Sequence, residues 1–343
     1  MIQKQWCFLA YSAVFHGPFK GDFLTFTTRS QTGSCIERVC ANLLTGWYTA
    51  GVEVCPAFID ETGLLNGPAY MQPVYGVGVL VLPDPPRITE LAYRRHFNFV
   101  STRSAERSRL ISEIRTGERT PTLEELNLLL RNTRHHEYKF SEVTKGNLQQ
   151  YIDLLSVYFA QPGCEFHALI LDRLDPRFSL GFWNHDPWRA YVGLTTELVK
   201  RRITRSVFPI VDLQGQPSSA DTAIEDALCT IPNVKGCLRA SSETSVFLQI
   251  VDVLLGCLQC DWNDAYERYE VGSGRAEAKR QLTRFIKAHF GIPAAEPILT
   301  STMTYRRRQR TSLFTASLWR EPRHRDKEKR AAMARATPAN GTR

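Results

Sequence analysis

Three apolar stretches of this chain each stop at an aspartate: Ala57-Phe58-Ile59-Asp60-Glu61-Thr62-Gly63, Phe166-His167-Ala168-Leu169-Ile170-Leu171-Asp172, and Val207-Phe208-Pro209-Ile210-Val211-Asp212. Carboxylate oxygens are the preferred ligands of hard cations, and a sheet holds its terminal residues rigidly, so acid at a strand tip is a candidate metal ligand. Aspartate also ends strands because it makes turns, and each tip taken alone admits that reading. A fourth acid, Asp252, interrupts the apolar run Val246-Phe247-Leu248-Gln249-Ile250-Val251 and Val253-Leu254-Leu255, where an unpaired charge is costly to bury. It either pairs with a base or faces a cation. Acids brought close together cannot all ionise without a counter-charge, which points to Mg²⁺ or Mn²⁺. Two such ions about 3.5 to 4 Å apart bind the attacking and leaving oxygens of a phosphodiester and activate a water.

Those acids need a scaffold that gathers strand ends on one edge. The apolar run at 55–62 and a second from Val74 to Leu82, joined through Gly and Pro, read as a hairpin-like strand pair. Helical patterns follow at Arg87 to Phe97, Ala105 to Arg115 and Thr122 to Arg131, the last with capping-box spacing between Thr122 and Glu125. Glu137-Tyr138-Lys139-Phe140 alternates like a strand. Asn147 to Phe159 reads as an amphipathic helix with Leu148, Tyr151, Ile152, Leu155 and Phe159 on one face. Beyond the strand at 166–172 come a helix from Trp188 to Ile203, the strand at 207–212, a helix near Thr222 to Cys229, a strand near Val234 to Arg239, and the helix Ser245 to Cys260. Strands alternating with helices imply a mostly parallel sheet covered on both faces, with ligands at the C-terminal strand ends.

The 343 residues carry a formal charge of +8. From Arg306 onward there are 12 Lys/Arg against 3 Asp/Glu, a net +9, so residues 1–305 stand at −1. Basicity is therefore a C-terminal property. Arg306, Arg307, Arg308 and Arg310 with the tail behind them suit phosphate neutralisation, or form a solvated tail. No apolar run approaches the ~20 residues that span a bilayer, and no small-residue cleavage site follows the opening apolar patch. Nine cysteines at irregular spacing point to a reducing compartment, the cytoplasm. Cys7, Cys35, Cys40 and Cys55 lack the close pairs of zinc sites, and Cys257 and Cys260 read as buried thiols of a helix.

Several smaller features have simpler explanations. His135-His136 could add ligands but suit an exposed loop; Ser241-Ser242-Glu243 suits a helix cap; Gly272-Ser273-Gly274 suits a turn; Asp186 ahead of Pro187-Trp188 suits dipole complementarity.

The order Ile59-Asp60-Glu61-Thr62-Gly63, Glu137-Tyr138-Lys139-Phe140, Ala168-Leu169-Ile170-Leu171-Asp172-Arg173, Val211-Asp212, Ser241-Ser242-Glu243 and Leu248-Gln249-Ile250-Val251-Asp252-Val253-Leu254-Leu255-Gly256 resembles the domain-of-unknown-function 3800 family. The resemblance runs from about residue 56 to Trp319, where Phe314 to Trp319 is similar to that family's closing strand. The family's opening motif is usually Asp-Glu-Ser-Gly; Thr62 keeps the hydroxyl. It implies an α/β, ribonuclease-H-like mixed sheet flanked by helices over residues 55–320, after an N-terminal segment at 1–54 and before a basic tail at 321–343. It also implies that Asp60 on the first, central strand, Asp172 on its parallel neighbour and Asp252 on the closing helix hold the metal, with Glu137 and Asp212 as supporting ligands or as groups that hold the ligands in place. The expected function is a divalent-metal-dependent nuclease acting on DNA or RNA, with the basic tail holding the nucleic acid. The alternatives are a non-catalytic nucleic-acid- or protein-binding module on the same scaffold, and a hydrolase of a small phosphorylated molecule.

Overall fold

The computed structural model describes residues 54–320 apart from 84, 124, 126–136, 214–215, 219, 269–273, 300–304 and 310–311. A seven-stranded mixed sheet runs through it in the order β5-β4-β1-β2-β3-β7-β6. The strands are β1 (Cys55–Thr62), β2 (Val74–Val81), β3 (Glu165–Asp172), β4 (Val207–Asp212), β5 (Leu238–Ala240), β6 (Tyr305–Gln309) and β7 (Ser312–Leu318). β1, β2 and β3 form an antiparallel meander, while β4 and β5 add in parallel beside β1 and β7 adds in parallel beside β3. The sheet is thus mixed rather than mostly parallel. The connection between β1 and β2 is a short loop with no crossover helix, and such a loop dictates an antiparallel partner.

Six helices are described: α1 (Pro85–Arg115), α2 (Leu148–Ala160), α3 (Pro187–Arg202), α4 (Ile224–Cys229), α5 (Val246–Ala265) and α6 (Gly274–Phe290). Strand side chains alternate between two cores. Phe58, Leu80, Phe166 and Phe208 join α2, α5 and α6 on one face. Ile59, Val79, Leu171 and Val211 join α3 and α4 on the other. No described helix is long and apolar enough to cross a membrane.

Several elements differ from the pattern reading. α1 is one helix where two were expected; the Thr102 hydroxyl donates to the Asn98 carbonyl at 2.9 Å, and Phe99 stacks on Tyr138, so packing carries the helix through Asn98–Thr102. Glu137–Lys139 is not a strand: it runs extended into a single 3-10 turn, Phe140–Glu142, and pairs with no strand. The capping box at Thr122 and Glu125 is made in both directions, Thr122 N–H to Glu125 and Glu125 N–H to the Thr122 hydroxyl; most of the helix expected behind it lies outside the described residues. The cap of α5 is Ser245, not Ser241–Glu243, which form a 3-10 turn ahead of it. α6 and β6 were not anticipated. Only 5% of Lys287 is exposed, and its amine is held by Asp261 at 2.7 Å, which anchors α6 to α5. The expected segments at 1–53 and 321–343, with Cys7, Cys35, Cys40, His135, His136 and Arg310, lie outside the described residues. Cys55, Cys257 and Cys260 are buried, and burial raises the Cys257 thiol and lifts that of Cys260 to about 11.

Two glycines set how closely α5 lies on its neighbours. A Cβ at Gly78 of β2 would stand 3.0 Å from Leu255 and from Val251. A Cβ at Gly256 of α5 would stand 2.1 Å from the Phe140 ring. Gly256→Ala gains helix propensity of about 1 kcal/mol, but the overpacking outweighs it. The expected result is a net loss of about 1 to 3 kcal/mol in urea denaturation; a variant as stable as the wild type would show that Phe140 can yield at no cost.

Candidate active site

β1 carries Asp60 into the face covered by α5. Since Ile59 pairs with Val211 across the parallel β1–β4 ladder, Asp60 and Asp212 occupy the next register position and point to the same face. α5 packs over that face and brings Asp252. Three acids from three elements are thereby gathered at one place. Asp60 is only 6% exposed, and its Oδ1 accepts the Glu61 N–H at 2.8 Å. Asp212 accepts the Ser242 N–H at 2.9 Å, a bond set by the turn after β5. Asp252 Oδ2 accepts the Phe140 N–H at 2.8 Å. That last bond exists because Gly256, one helical turn along from Asp252, lets the Phe140 segment touch the helix.

Burial raises the Asp60 carboxyl well above the ordinary range, and the charges of Glu61, Asp252 and Asp212 push it the same way against the Glu61 N–H. Burial likewise lifts Asp252 to about 6; the Phe140 N–H and Lys139 oppose that rise, while Glu137 and Asp212 add to it. Asp212 is raised by burial and held down by the Leu213 and Ser242 N–H groups and by Lys139. Burial is the common cause, and carboxylate charges add to it at Asp60 and Asp252.

Lys139 is the nearby cation. Its amine pairs with Glu137 at 2.7 Å, and Glu137 is 9% exposed. Burial pulls the Lys139 amine down, but the bond to Glu137 and the charges of Glu137, Asp252 and Glu142 leave it above its ordinary value. Glu137 therefore reaches the acids through Lys139 and through its charge on Asp252. Sequence reading passed over Lys139, although two residues apart in an extended segment already places it on the side of Glu137.

Asp172 lies elsewhere. β1 and β3 run the same way with β2 between them, and Asp60 sits level with Gly78 and Ala168, four residues short of Asp172. That separation is about 13 Å along the strands, on top of two strand spacings of about 4.8 Å. There Arg268 grips Asp172 with two bonds, at 3.1 and 3.0 Å, and the Trp262 indole donates to it at 3.2 Å. Its Oδ1 also accepts the Leu174 N–H at 3.0 Å. A carboxylate so fully engaged by a guanidinium is a structural clamp between the end of β3 and the end of α5. The expected grouping of Asp172 with Asp60 and Asp252 is not what the sheet produces; the strand-tip signal was the same, but parallel neighbours of β1 lie on its other side. Arg306, Arg307 and Arg308 fall on β6, the edge strand.

No family model, curated protein or solved structure matches this chain. Its chemistry therefore rests on the site itself. Among the described residues, no group of three or more His, Cys, Asp or Glu side chains is arranged to hold a metal ion as it stands. The donor set is nonetheless of the right kind for a hard divalent cation, carboxylates whose repulsion lacks a full counter-charge.

A carboxyl whose folded pKa is raised favours the folded state when protonated, so its contribution is lost as pH rises. For Asp252 the loss falls between the ordinary 3.8 and about 6. Asp252→Asn and Asp60→Asn remove the charge and keep the volume. Each is expected to be more stable than the wild type at pH 7.5, by on the order of 1 kcal/mol or more, with the gain vanishing near pH 4. Urea denaturation at the two pH values checks this, and a gain independent of pH would mean that folding does not raise these two carboxyls.

Proposed function

We propose that the protein is a divalent-metal-dependent phosphodiester hydrolase, with Asp60, Asp212 and Asp252 as the acids that hold Mg²⁺ or Mn²⁺. One observation carries this reading: three buried or half-buried carboxylates, from a central strand, its parallel neighbour and the helix packed over them, each have their proton affinity raised by burial, and neighbouring carboxylate charges add to the rise at Asp60 and Asp252. Selection for stability alone would not keep them, because such acids weaken the fold at neutral pH. The strand order, with an antiparallel meander flanked in parallel by β4 and β5 and an acid-bearing helix after β5, supports a ribonuclease-H-like reading and the resemblance to the domain-of-unknown-function 3800 family.

A divalent ion bound there supplies Lewis-acid activation of water and charge neutralisation at the phosphate. The chain's own groups do the rest. The Phe140 N–H fixes the orientation of Asp252, and the Ser242 and Leu213 N–H groups fix that of Asp212. Burial of Asp60 excludes water from its inner side, which strengthens its interaction with any cation. Lys139 balances charge when the acids are ionised, and Glu137 holds that amine in place. Asp172 has no ligand role in this reading; it holds the end of β3 to α5 through Arg268.

A second reading, a binding module without catalysis, is favoured by Lys139, whose ammonium already lies among the acids and could stand permanently where a cation would. Calorimetric titration with Mg²⁺ and Mn²⁺, paired with cleavage of labelled single- and double-stranded DNA and RNA, separates the two. Asp60→Asn and Asp212→Asn are expected to lose metal binding and at least 100-fold in cleavage, on the order of removing a ligand from a metal site. Asp172→Asn is expected to keep metal affinity while losing stability, because it orphans the partly buried Arg268. Absence of metal binding in the wild type would leave the binding module as the function.

A further inference from the structure

α5 is buried along its length from Val246 to Asn263 except at Asp252 and Gln259. These are seven residues apart, and Asn263 follows at eleven, so all three fall within about 20° of one line down the helix. The stripe starts at the acid cluster and advances about 10 Å to Gln259 and about 16 Å to Asn263. It opens onto a cavity of about 490 Å³ between the β1–β2 loop and α5, lined among others by Gly63, Tyr70, Gln72, Gln259 and Asn263. A second cavity of about 390 Å³ adjoins it and shares Leu174 and Arg268 in its wall. Each is of a size that holds one small-molecule-sized group.

The first cavity is polar in its depth and apolar at its rim. Asn263 is 6% exposed, and its Oδ1 lies buried with no hydrogen-bond partner among the described residues. The Gln72 Oε1 on the opposite wall is in the same state. A buried amide oxygen without a partner costs about 1 to 3 kcal/mol, and both belong to residues that line this cavity, so a ligand whose N–H groups reach them completes the bonding. At the rim Tyr70 is 76% exposed and Met71 69%, flat and soft surfaces with nothing packed on them. Gln259 is fixed rather than available, since its Oε1 accepts the Thr62 hydroxyl at 3.2 Å and its Nε2 donates to the Val74 carbonyl at 3.4 Å. The second cavity has aromatic walls, Trp262, Tyr266, Phe178 and Trp319, and its charged groups are Arg177, Arg268 and Arg320 against Asp172 and Asp175, an excess of one positive charge.

Amide acceptors in a slot, an exposed tyrosine over it, and an aromatic chamber with a positive excess beside it match a base, a second base and the phosphate between them. We propose that this groove binds a single-stranded stretch of nucleic acid alongside the acid cluster, with one base on Tyr70 and the Gln72 and Asn263 amides and the next in the Trp319 chamber. The inference rests on the phosphodiester reading for its substrate class, and it adds where the strand lies and which residues read it. The strand then leaves the acids along the α5 stripe, past Thr62 and Gly63. Duplex is excluded from the slot because its bases are already paired and stacked.

Fluorescence anisotropy of the full chain with a short labelled single strand, as RNA and as DNA, tests this in EDTA, so that the metal plays no part. Raised salt weakens binding through phosphates alone. Tyr70→Ala and Asn263→Ala are each expected to weaken binding about tenfold, the loss of one stacked or hydrogen-bonded base. An abasic strand of the same length, which loses both bases, should bind the wild type more weakly than the base-bearing strand binds either variant. Tyr70 is exposed, so its replacement leaves folding intact even where Asn263→Ala disturbs it. Wild-type affinity in Tyr70→Ala, equal affinity for the abasic strand, or no binding by the wild type overturns the inference. Cleavage lost in Asp60→Asn beside unchanged affinity in Tyr70→Ala leaves the hydrolase standing and removes the groove. Affinity lost in Tyr70→Ala with no metal-dependent cleavage by the wild type does the reverse.

Discussion

The closeness of α5 to the sheet is the constraint on which the rest of this structure depends. Val251 and Leu255 sit against β2 at a place where Gly78 has no side chain, and Phe140 sits against α5 where Gly256 has none. Removing those two Cβ atoms lets a twenty-residue helix lie directly over β1 and β2. Everything chemical follows from that contact: Asp252 comes down toward Asp60, the Phe140 N–H reaches Asp252, and Gln259 reaches Thr62. A helix held a little further off would leave Asp60 facing water and Asp252 with no backbone donor.

The same contact places acids where the fold is least able to tolerate them. Most of the chain obeys ordinary burial rules, with phenylalanines and branched aliphatics filling both faces of the sheet. At the acid cluster the rule is broken three times within one neighbourhood, and the raised proton affinities of Asp60, Asp212 and Asp252 are its signature. The compensation present is partial, namely the Glu61, Phe140, Leu213 and Ser242 N–H groups and the ammonium groups of Lys139, which Glu137 holds, and Lys279. By contrast, two acids elsewhere are paired with cations: Asp261 meets Lys287 and the Ile298 N–H, and Asp172 meets Arg268 and the Trp262 indole. That difference in pairing sets the cluster apart from Asp261 and Asp172.

Asp172 shows why strand-tip acids cannot be sorted by pattern. Asp172 and Asp212 end strands of similar composition, and both strands run in the direction of β1. One is hydrogen-bonded directly to β1 and the other is two places away across β2. Only the strand order tells them apart, and strand order is a property of long-range pairing that no local window contains. The partner of Asp172, Arg268, stands 96 residues later and left no sign of that pairing in the sequence.

The sequence by itself determined the elements whose signal is local. Apolar runs marked β1, β2, β3 and β4; helical patterns marked α2, α3 and α5; the Thr122–Glu125 spacing marked a helix start that is made by both expected bonds. It also singled out Asp60, Asp172, Asp212 and Asp252, because a charge at the end of or within an apolar run is visible in one dimension. What only the tertiary structure decided is which acids meet. The order that puts β2 between β1 and β3 is set by long-range pairing, while the departure of Glu137–Phe140 from strand geometry, the recruitment of Lys139, and the opening at Gln259 and Asn263 follow from how α5 seats on the sheet. That seating is fixed by side-chain volumes on facing elements far apart in sequence, and close packing is a property of pairs of surfaces, which no single segment carries.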